Sequence, residues 1–292
     1  MIHKTVAFLF STLAFFSCTA PIDINTRNSA PVIVIYGCLT DVFTYQYIRL
    51  TASSPFFDDV PNPAITDAKV SVRTSTGREY NFAGEKDGYY VSSRRFSAIP
   101  GVTYYLTVEV DFDKDGITDV YEAETTALPI VPIDSIDITA LSIMGFSCFS
   151  LNIYMQEPVE TENYYLFKFF INDSISNDLV SEFIISNDRM FNGEYLNGVN
   201  ITYFDDYSDP KVVELNRNNE NALMVYPGDR LQLQILNIEK GYYHFISECR
   251  REKYGENPFF GGPPSNISTN LSDGAIGYFT SFCIQFAETC FP

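Results

Sequence analysis

The sequence contains no tryptophan, two histidines and few cations: 19 lysines and arginines stand against 37 aspartates and glutamates in 292 residues. His3 lies in the first 17 residues, which are expected to be removed, so His244 is the remaining histidine. A metal centre built from several histidines is therefore excluded, and a Ser-His-Asp triad would have to use His244. The net charge of −18 opposes nucleic-acid binding, because that binding needs phosphate neutralisation by lysine and arginine.

Motifs of the common enzyme classes are also missing. The chain has no G-x-S-x-G nucleophile motif, no P-loop and no dinucleotide fingerprint. His244 lies between Tyr243 and Phe245 in a stretch of helical periodicity, where packing is the more common role. Paired carboxylates for glycoside cleavage leave no sequence signature, because their spacing exists only in the fold. The sequence thus favours a non-catalytic protein, with a carboxylate-dependent hydrolase as an alternative.

The first apolar run is short and ends at a cysteine. Residues 6–16 follow a lysine and are too few to span a bilayer as a stable helix. Ser17 and Cys18 come next, which is the layout of a secretory signal and resembles that of bacterial lipoproteins. We therefore expect removal of residues 1–17, acylation of Cys18 with palmitate-type chains, and a flexible tether over 18–31. An ordinary signal with an incidental cysteine is the alternative.

Short runs rich in Val, Ile, Tyr, Phe and Thr follow at regular spacing. Turn-forming residues separate them, and several alternate polar with apolar residues as half-buried strands do. Between Lys69 and Arg73, for example, Val70 and Val72 fall on one face. Seven such runs predict an immunoglobulin- or transthyretin-like β-sandwich over 32–127. They are 32–39, 45–52, 68–74, 78–82, 88–93, 103–110 and 120–126.

A second region follows a proline-containing linker, 128–136. Residues 137–292 are expected to form a β-rich domain, and 277–289 a single long closing strand. Between 239 and 254 the apolar residues recur at i, i+3, i+4 and i+7, which predicts one helix near the C-terminus. The predicted fold class is therefore all-β, with one helix. The other strand-like segments are 136–143, 148–156, 164–172, 179–186, 199–204 and 229–238.

Five cysteines remain once Cys18 is acylated. No pair has the C-x-x-C or zinc-site spacing, so buried structural thiols are the expectation. An odd number allows at most two disulfides and leaves one thiol, and the sequence does not assign the pairs. The five are Cys38, Cys148, Cys249, Cys283 and Cys290.

The sharpest motif is DFDKDGITDV at 111–120. Aspartates at positions 1, 3, 5 and 9 with glycine at 6 match a calcium-binding loop, in which alternate carboxylates converge on one hard cation. The flanking segments are strand-like, so Glu122 at position 12 is not required as a ligand. A plain acidic hairpin is the alternative, since Asp-Gly is itself a turn signal. The predicted ligands for Ca²⁺ are Asp111, Asp113, Asp115, the Ile117 carbonyl and Asp119.

Three segments together resemble a known group: VIVIYGCLTD (32–41), ITDAKVSVRTSTGREYNF (65–82) and NPFFGGPPSNISTNLSDGAIGYFTSF (257–282). They are similar to outer-membrane lipoproteins of Bacteroidota whose shared domain has no assigned function. The resemblance implies an outer-membrane lipoprotein often encoded beside TonB-dependent receptors, and it brings no catalytic residues. It also implies O-glycosylation at Asp-Ser-apolar tripeptides, here at Ser135 and Ser174.

These observations predict a lipid-anchored outer-membrane protein that acts as a non-catalytic binding or accessory component of a TonB-dependent uptake system. A hydrolase and a structural adhesin-like module are the alternatives. The sequence leaves open whether the protein faces the periplasm or the cell surface. A broad exposed patch of Tyr and Phe would favour partner binding, and a deep pocket lined by Asp or Glu would favour an enzyme.

Overall fold

Strands dominate the residues that the computed structural model describes, which are 30–54, 61–177, 179–219, 223–254 and 267–292. Within them the chain forms sixteen strands, β1–β16, and two α-helices, α1 (Pro210–Leu215) and α2 (Lys240–Tyr254). The predicted all-β class with a helix near the C-terminus is confirmed. The signal segment, Cys18 and most of the tether lie outside the described residues.

All seven strands predicted between residues 32 and 126 are present. Seven of the eight strands in the largest sheet come from this region, and the eighth, β15 (Ile276–Phe282), comes from near the C-terminus. The sheet order is β15-β1-β2-β5-β4-β3-β6-β7. The first seven strands are β1 (Ile33–Thr40), β2 (Tyr47–Ala52), β3 (Lys69–Thr74), β4 (Glu79–Gly84), β5 (Tyr89–Ser92), β6 (Thr103–Val110) and β7 (Asp119–Thr126).

The end strands of this sheet, β15 and β7, lie next to each other and enclose one core. The Ser281 amide donates to Thr125 Oγ1 at 3.0 Å, and Asn270 Nδ2 donates to the Glu124 carbonyl at 2.9 Å. Because side chains alternate along a strand, every second residue points inward, and burying each contributes about 1.5–3 kcal/mol. The most deeply buried members include Ile35, Leu50, Val72, Leu106, Val108 and Phe279.

Strand β15 runs parallel to β1, whereas the other pairs in this sheet are antiparallel. Gly277 lies opposite Ile35 with φ of +106°, and a Cβ at this position would meet the Ile35 carbonyl oxygen at 2.1 Å. Only glycine tolerates both this backbone conformation and so close a neighbour. The strand belongs in sequence to the predicted C-terminal region, 137–292, and it pairs with the sheet of the N-terminal region.

The second region contains two smaller sheets that face each other across an aromatic core. One sheet has the order β13-β9-β8, and the other has β11-β10-β14-β16 with β12 beside β10. Phe204 makes edge-to-face contacts with Phe169 and Phe291, at centroid distances of 5.1 and 5.3 Å. The strands are β8 (Ser135–Ile143), β9 (Phe146–Gln156), β10 (Tyr164–Ile171), β11 (Ser174–Ile175), β12 (Ile184–Asn187), β13 (Tyr195–Asp205), β14 (Arg230–Asn237) and β16 (Ile284–Cys290).

Helix α2 joins the two regions through a third core. Its residues Tyr242, Phe245 and Ile246 are buried, as the helical spacing predicts. They pack in one cluster with residues of β1, β10, β14 and β15. The hydroxyls of Tyr242 and Tyr36 lie 2.6 Å apart at its centre. Because α2 covers one face of β10 and the aromatic core covers the other, this strand is buried on both sides.

Two local expectations are wrong, and the sequence patterns missed one short helix. The predicted single strand 277–289 is two strands, β15 and β16, because the chain changes sheets at Cys283. The Asp41 carboxylate accepts from the Ile284 amide at this break, at 3.1 Å. The predicted strand 179–186 is a 3₁₀ turn, Val180–Glu182, followed by β12. Helix α1 was not predicted, although Asp209 caps it and proline follows at the first position, which is a known start signal.

The five cysteines in the described residues are free thiols. Cys148 and Cys283 are buried, Cys38 and Cys249 are half-buried, and Cys290 is exposed. Burial raises the pKa of Cys38 to about 12 and that of Cys249 to about 11, so both are protonated at neutral pH.

Candidate functional site

The acidic loop, residues 111–118, connects β6 to β7 as a hairpin. Asp111, Asp113 and Asp115 each place one carboxylate oxygen within 4.8 Å of the other two. The left-handed conformations of Lys114 (φ +63°) and Gly116 (φ +88°) bend the loop tightly enough for this. The alternate spacing of these three aspartates therefore brings their carboxylates close together.

Hydrogen bonds within the loop hold these carboxylates in place. The Asp115 amide donates to Asp113 Oδ1 at 3.1 Å, and the Gly116 amide donates to Asp111 Oδ2 at 3.1 Å. The Ile117 amide donates to Asp115 Oδ1 at 2.7 Å. The other oxygen of Asp111, Oδ1, is buried and has no hydrogen-bond partner in the described residues. Buried polar atoms are nearly always partnered, so this oxygen fits a cation ligand.

One predicted ligand, Asp119, does not join the carboxylate cluster, whereas the Ile117 carbonyl stays a prediction. Asp119 accepts from the Phe112 amide at 3.0 Å and so closes the base of the loop, and its carboxylate lies outside the triad. Ile117 is exposed, and Glu122 is an exposed residue of β7. Lys114 is paired with Asp67 at 2.8 Å, and this hydrogen bond lowers the pKa of Asp67. The donor set that the loop brings together is thus three carboxylates, which suits a hard cation such as Ca²⁺.

Of the three predicted modification sites, the structure describes two, Ser135 and Ser174. Cys18 lies outside the described residues. Ser135 is exposed at the first position of β8, and Ser174 is exposed in β11, just after a turn in which Asn172 and Asp173 have positive φ. Both serines are on the surface, where a modifying enzyme has access to them.

A cavity of about 140 Å³ lies between the two sheets of the second region, and no sequence pattern pointed to it. Its walls come from β9, β10, β12 and β13, and Glu157 and Asp188 line it as acidic groups. Glu157 is 1% exposed, and its oxygens accept from Tyr165 at 2.8 and 2.9 Å and from Asn163 at 3.0 Å. Burial raises the pKa of Glu157, although these hydrogen bonds oppose the rise.

Hydrogen bonds connect both acidic side chains, Glu157 and Asp188, to neighbouring residues. Asp188 Oδ2 accepts from the Asn163 amide at 2.8 Å, so Asn163 connects the two carboxylates. The other wall residues are largely apolar, and a volume of this size accommodates about one benzene-sized molecule. The arrangement has the character of a polar network that seals the end of the sandwich. His244 is exposed on α2, and its ring lies edge-on to that of Tyr243.

An aromatic patch consists of Tyr47 and Tyr89, which are exposed on the first sheet and line one surface depression; Phe43 and Tyr45 are exposed nearby along the chain. Phe43 and Tyr45 belong to the β1–β2 connection, and Tyr47 and Tyr89 lie on the neighbouring strands β2 and β5. Phe43 is 69% exposed and Tyr47 is 50% exposed. Large exposed rings on one surface are typical of interaction sites. The alternation of Tyr89 with buried Tyr90 is as expected for a strand, whereas Tyr164 and Tyr165 are both buried because β10 is covered on both faces.

Among the residues that the structure describes, no helix combines the length and the apolar character that crossing a membrane requires. No curated protein matches the chain significantly. A solved two-domain fibronectin type III segment of chicken tenascin is 9% identical, with 72% of this chain and 91% of that chain covered. Its TM-score of 0.21 is too low to carry a structural argument. The family described as "Domain of unknown function (DUF4249)" matches residues 19–284, so this chain belongs to that family.

Proposed function

We propose that this protein is an outer-membrane lipoprotein that binds a partner without catalysis, as an accessory component of a TonB-dependent uptake system. In this proposal a lipid on Cys18 holds the protein at the membrane. The proposed partner is a TonB-dependent receptor. The receptor and the membrane setting rest on the sequence resemblance, and the binding role rests on the aromatic patch.

The observation that carries the binding role is the exposure of two large rings on neighbouring strands of one sheet. Tyr47 and Tyr89 belong to paired strands, and Arg49 stacks on Tyr89 at 5.1 Å from its centroid. Tyrosine and arginine, together with tryptophan, are enriched among the residues that contribute most of the binding energy at protein interfaces. Rings on a rigid sheet also lose little conformational entropy on binding, since two χ angles define each ring. The patch is therefore suited to a protein partner.

Replacing Tyr47 and Tyr89 with serine is expected to reduce recovery of the receptor after crosslinking and purification from membranes. Truncating interface-centre tyrosines typically weakens binding by about 2 kcal/mol or more each, which is more than tenfold. The measurement is the amount of receptor barrel that copurifies with the protein at equal expression. Labelled palmitate incorporated at Cys18 in the same cells reports whether the anchor is present.

The matched control replaces Tyr195 and Tyr203, two exposed tyrosines on β13, with serine. This variant removes the same chemical groups from a different surface and should retain the receptor. Equal recovery with both double variants would contradict the role of the aromatic patch. Consistent absence of any receptor from the wild-type sample would contradict the accessory role, and an unlabelled protein that washes free of membranes would contradict the anchor.

We also propose that the acidic loop holds one Ca²⁺ ion that orders the β6–β7 hairpin. The support is the convergence of three carboxylates and the buried, unpartnered Asp111 Oδ1. Like charges this close repel one another unless a cation lies between them. Asp119 supports the loop from its base by accepting from the Phe112 amide. The role is structural, since loop sites of exported proteins bind calcium at about millimolar levels.

Calcium is expected to raise the melting temperature of the purified protein. At about ten times the dissociation constant, binding adds about 1.4 kcal/mol to stability, which for a domain of this size shifts Tm by about 3–5 °C. The double substitution of Asp113→Ala with Asp115→Ala should abolish the shift. Glu122→Ala is the control, because it removes a nearby acid outside the cluster and should leave the shift intact. A wild-type melting curve that is the same in chelator and in calcium would rule out the site.

The hydrolase alternative draws on one observation, the two buried acids at the 140 Å³ cavity. A general acid or base needs a carboxylate oxygen directed at the substrate. Both oxygens of Glu157 accept from Tyr165, and one of them also accepts from Asn163. The geometry therefore supports a structural role for Glu157 better than a catalytic one.

A further inference from the structure

Three arginines converge on a surface basin of about 560 Å³ beside the points where strands β3 and β5 of the first sheet end. Arg78 comes from the turn between β3 and β4, and Arg94 and Arg95 follow β5. We name this feature the arginine basin. Its lining is completed by Phe43, Tyr80, Phe96, Ser97 and Ile99.

The charge of the basin is opposite to that of the chain. The whole sequence has a net charge of −18, whereas residues 69–95 contain six lysines and arginines against three acids, a local charge of +3. In the described part of the chain, none of the three basin arginines forms an ion pair with a carboxylate. Acidic residues are abundant in this protein, yet no carboxylate of the described residues pairs with these three side chains. Their charge is therefore available to a ligand.

Stacking holds two of the guanidinium groups in place. Arg94 lies over the Tyr80 ring at 4.9 Å from its centroid, and Arg95 lies over Tyr45 at 5.4 Å. Tyr80 in turn stacks on Phe96 with centroids 3.8 Å apart. A guanidinium group has five N–H donors at its edge, and Arg94 uses one of them, to the Glu79 carbonyl at 3.1 Å. Stacking thus fixes the plane of the group and leaves donors for an oxyanion.

A buried glutamine fixes the two segments that frame the basin. Gln46 is 2% exposed, and its amide nitrogen donates to the carbonyls of Val42 and Phe96 at 3.2 and 2.9 Å. The Phe96 amide donates to the Thr44 carbonyl at 3.1 Å. The β1–β2 connection, which carries Phe43, is therefore tied to the segment after β5. The basin is therefore preformed, and this preorganisation lowers the entropic cost of binding a ligand.

The walls indicate the chemistry of the ligand. Planar guanidinium groups match the geometry of carboxylates and related oxyanions, which they bind through paired hydrogen bonds. Phe43 and Ile99 are 69% and 50% exposed at the rim and offer contact to an apolar body. A polyanion is disfavoured, because it would extend beyond the basin into the field of a chain with 37 acids. A small ligand stays within the basin, and distant charges are screened over about 8 Å at physiological salt.

We propose that the arginine basin binds a small organic anion, whose carboxylate or equivalent oxyanion pairs with Arg78, Arg94 and Arg95 while its apolar body packs on Phe43 and Ile99. The volume of about 560 Å³ is in the range of small-molecule sites. This assignment goes beyond the proposed partner-binding role and does not depend on it. The two are also separable, because Tyr47 and Tyr89 do not line the basin.

The test is calorimetric titration of the purified full-length protein with 2-naphthoate as the probe. Saturable binding that weakens as salt is raised is expected. Arg78→Gln should weaken it about tenfold, because a hydrogen bond to a charged group contributes about 1.5 kcal/mol or more. Arg78 has no described side-chain partner, so this substitution should not disturb folding. Arg94→Gln should weaken binding by at least as much, and its melting curve reports whether the stack on Tyr80 still forms.

Arg73→Gln is the matched control, since Arg73 also stacks on a tyrosine, Tyr105, at 5.2 Å but lies outside the basin. It should leave naphthoate affinity within twofold of wild type. Equal affinity for the neutral analogue 2-naphthalenemethanol would overturn the role of the arginines. Equal affinity for inorganic phosphate would overturn the apolar part of the assignment. Absence of saturable naphthoate binding, or equal losses in Arg78→Gln and Arg73→Gln, would overturn the site.

Discussion

Replacing Gly277 with alanine is expected to lower the free energy of unfolding by roughly 3 kcal/mol or more, because the new Cβ has no space. It would lie 2.1 Å from the Ile35 carbonyl oxygen, which is backbone and cannot rotate away. The φ of +106° adds further strain for any residue with a Cβ. Relief requires β15 to separate from β1, and this opens the first core beside Phe279, which is fully buried. Chemical denaturation of the purified variant measures the loss.

Gly274→Ala separates the effect of backbone strain from the effect of the close contact with Ile35. Gly274 lies three residues earlier with φ of +74°, and a Cβ there would meet nothing within 4 Å. Alanine at this position introduces backbone strain but no close contact, so it should lower the free energy of unfolding by about 1 kcal/mol. Equal losses for Gly274→Ala and Gly277→Ala would show that close packing of β15 on β1 does not contribute. A Gly277→Ala protein as stable as wild type would contradict the pairing itself.

Replacing Tyr242 with alanine is expected to cost about 3–5 kcal/mol, the usual loss for removing a large buried ring. Tyr242 is 1% exposed at the junction where α2 meets β1 and β15. The substitution leaves a cavity and also leaves the Tyr36 hydroxyl without its partner at 2.6 Å. Tyr242→Phe keeps the ring and should cost about 1–3 kcal/mol, from the unpaired Tyr36 hydroxyl. Denaturant unfolding monitored by circular dichroism gives both values.

Thiol reactivity shows whether the helix detaches. Cys38 packs in the same junction, and burial raises its pKa to about 12, so it should react very slowly with a thiol reagent in the wild-type protein. In Tyr242→Ala the thiol should react faster as α2 loosens. His244→Ala is the control, since His244 is exposed on the same helix and its loss should change stability by less than about 0.5 kcal/mol. A Tyr242→Ala protein with unchanged stability and an unreactive Cys38 would contradict the packing of α2 on β1.

Both expected losses of stability, in Gly277→Ala and in Tyr242→Ala, concern the contacts between the last third of the chain and the first third. Strand β15 enters the first sheet, the chain changes sheets at Cys283, and β16 then pairs with β14 of the second region. The aromatic patch and the arginine basin lie on the first sheet, which β15 and α2 support. Substitutions at the junction should therefore be checked for folding before any binding defect is assigned to a surface residue.

The local spacing of apolar residues was sufficient to predict much of the secondary structure. The seven N-terminal strands, helix α2 and the alternation of β6 follow from two-residue and 3.6-residue periods, which are properties of neighbouring residues. The convergence of Asp111, Asp113 and Asp115 also follows from local spacing and from the freedom of Gly116. The place of Asp119 was not predictable in the same way, because its hydrogen bond to Phe112 depends on how the hairpin closes.

Sequence patterns did not predict features that depend on contacts between residues distant in sequence. The break at Cys283 has no signal in the sequence, because Phe282 and Ile284 on either side of it are both apolar and pack in the same cluster, although they belong to strands of different sheets. The burial of both Tyr164 and Tyr165 depends on α2 covering the second face of β10. The Glu157 network and the arginine basin are likewise assembled from segments that only the fold brings together.

The sequence by itself determined the strand-rich class, the excess of acidic residues and the spacing of the calcium-type loop, because each depends on composition or on residues close along the chain. Only the tertiary structure decided the parallel pairing of β15 with β1, the double-sided burial of β10, and the surfaces offered to partners and ligands. The physical reason is that burial and contact between distant segments are decided by sheet register and helix packing, which have no fixed spacing in the sequence.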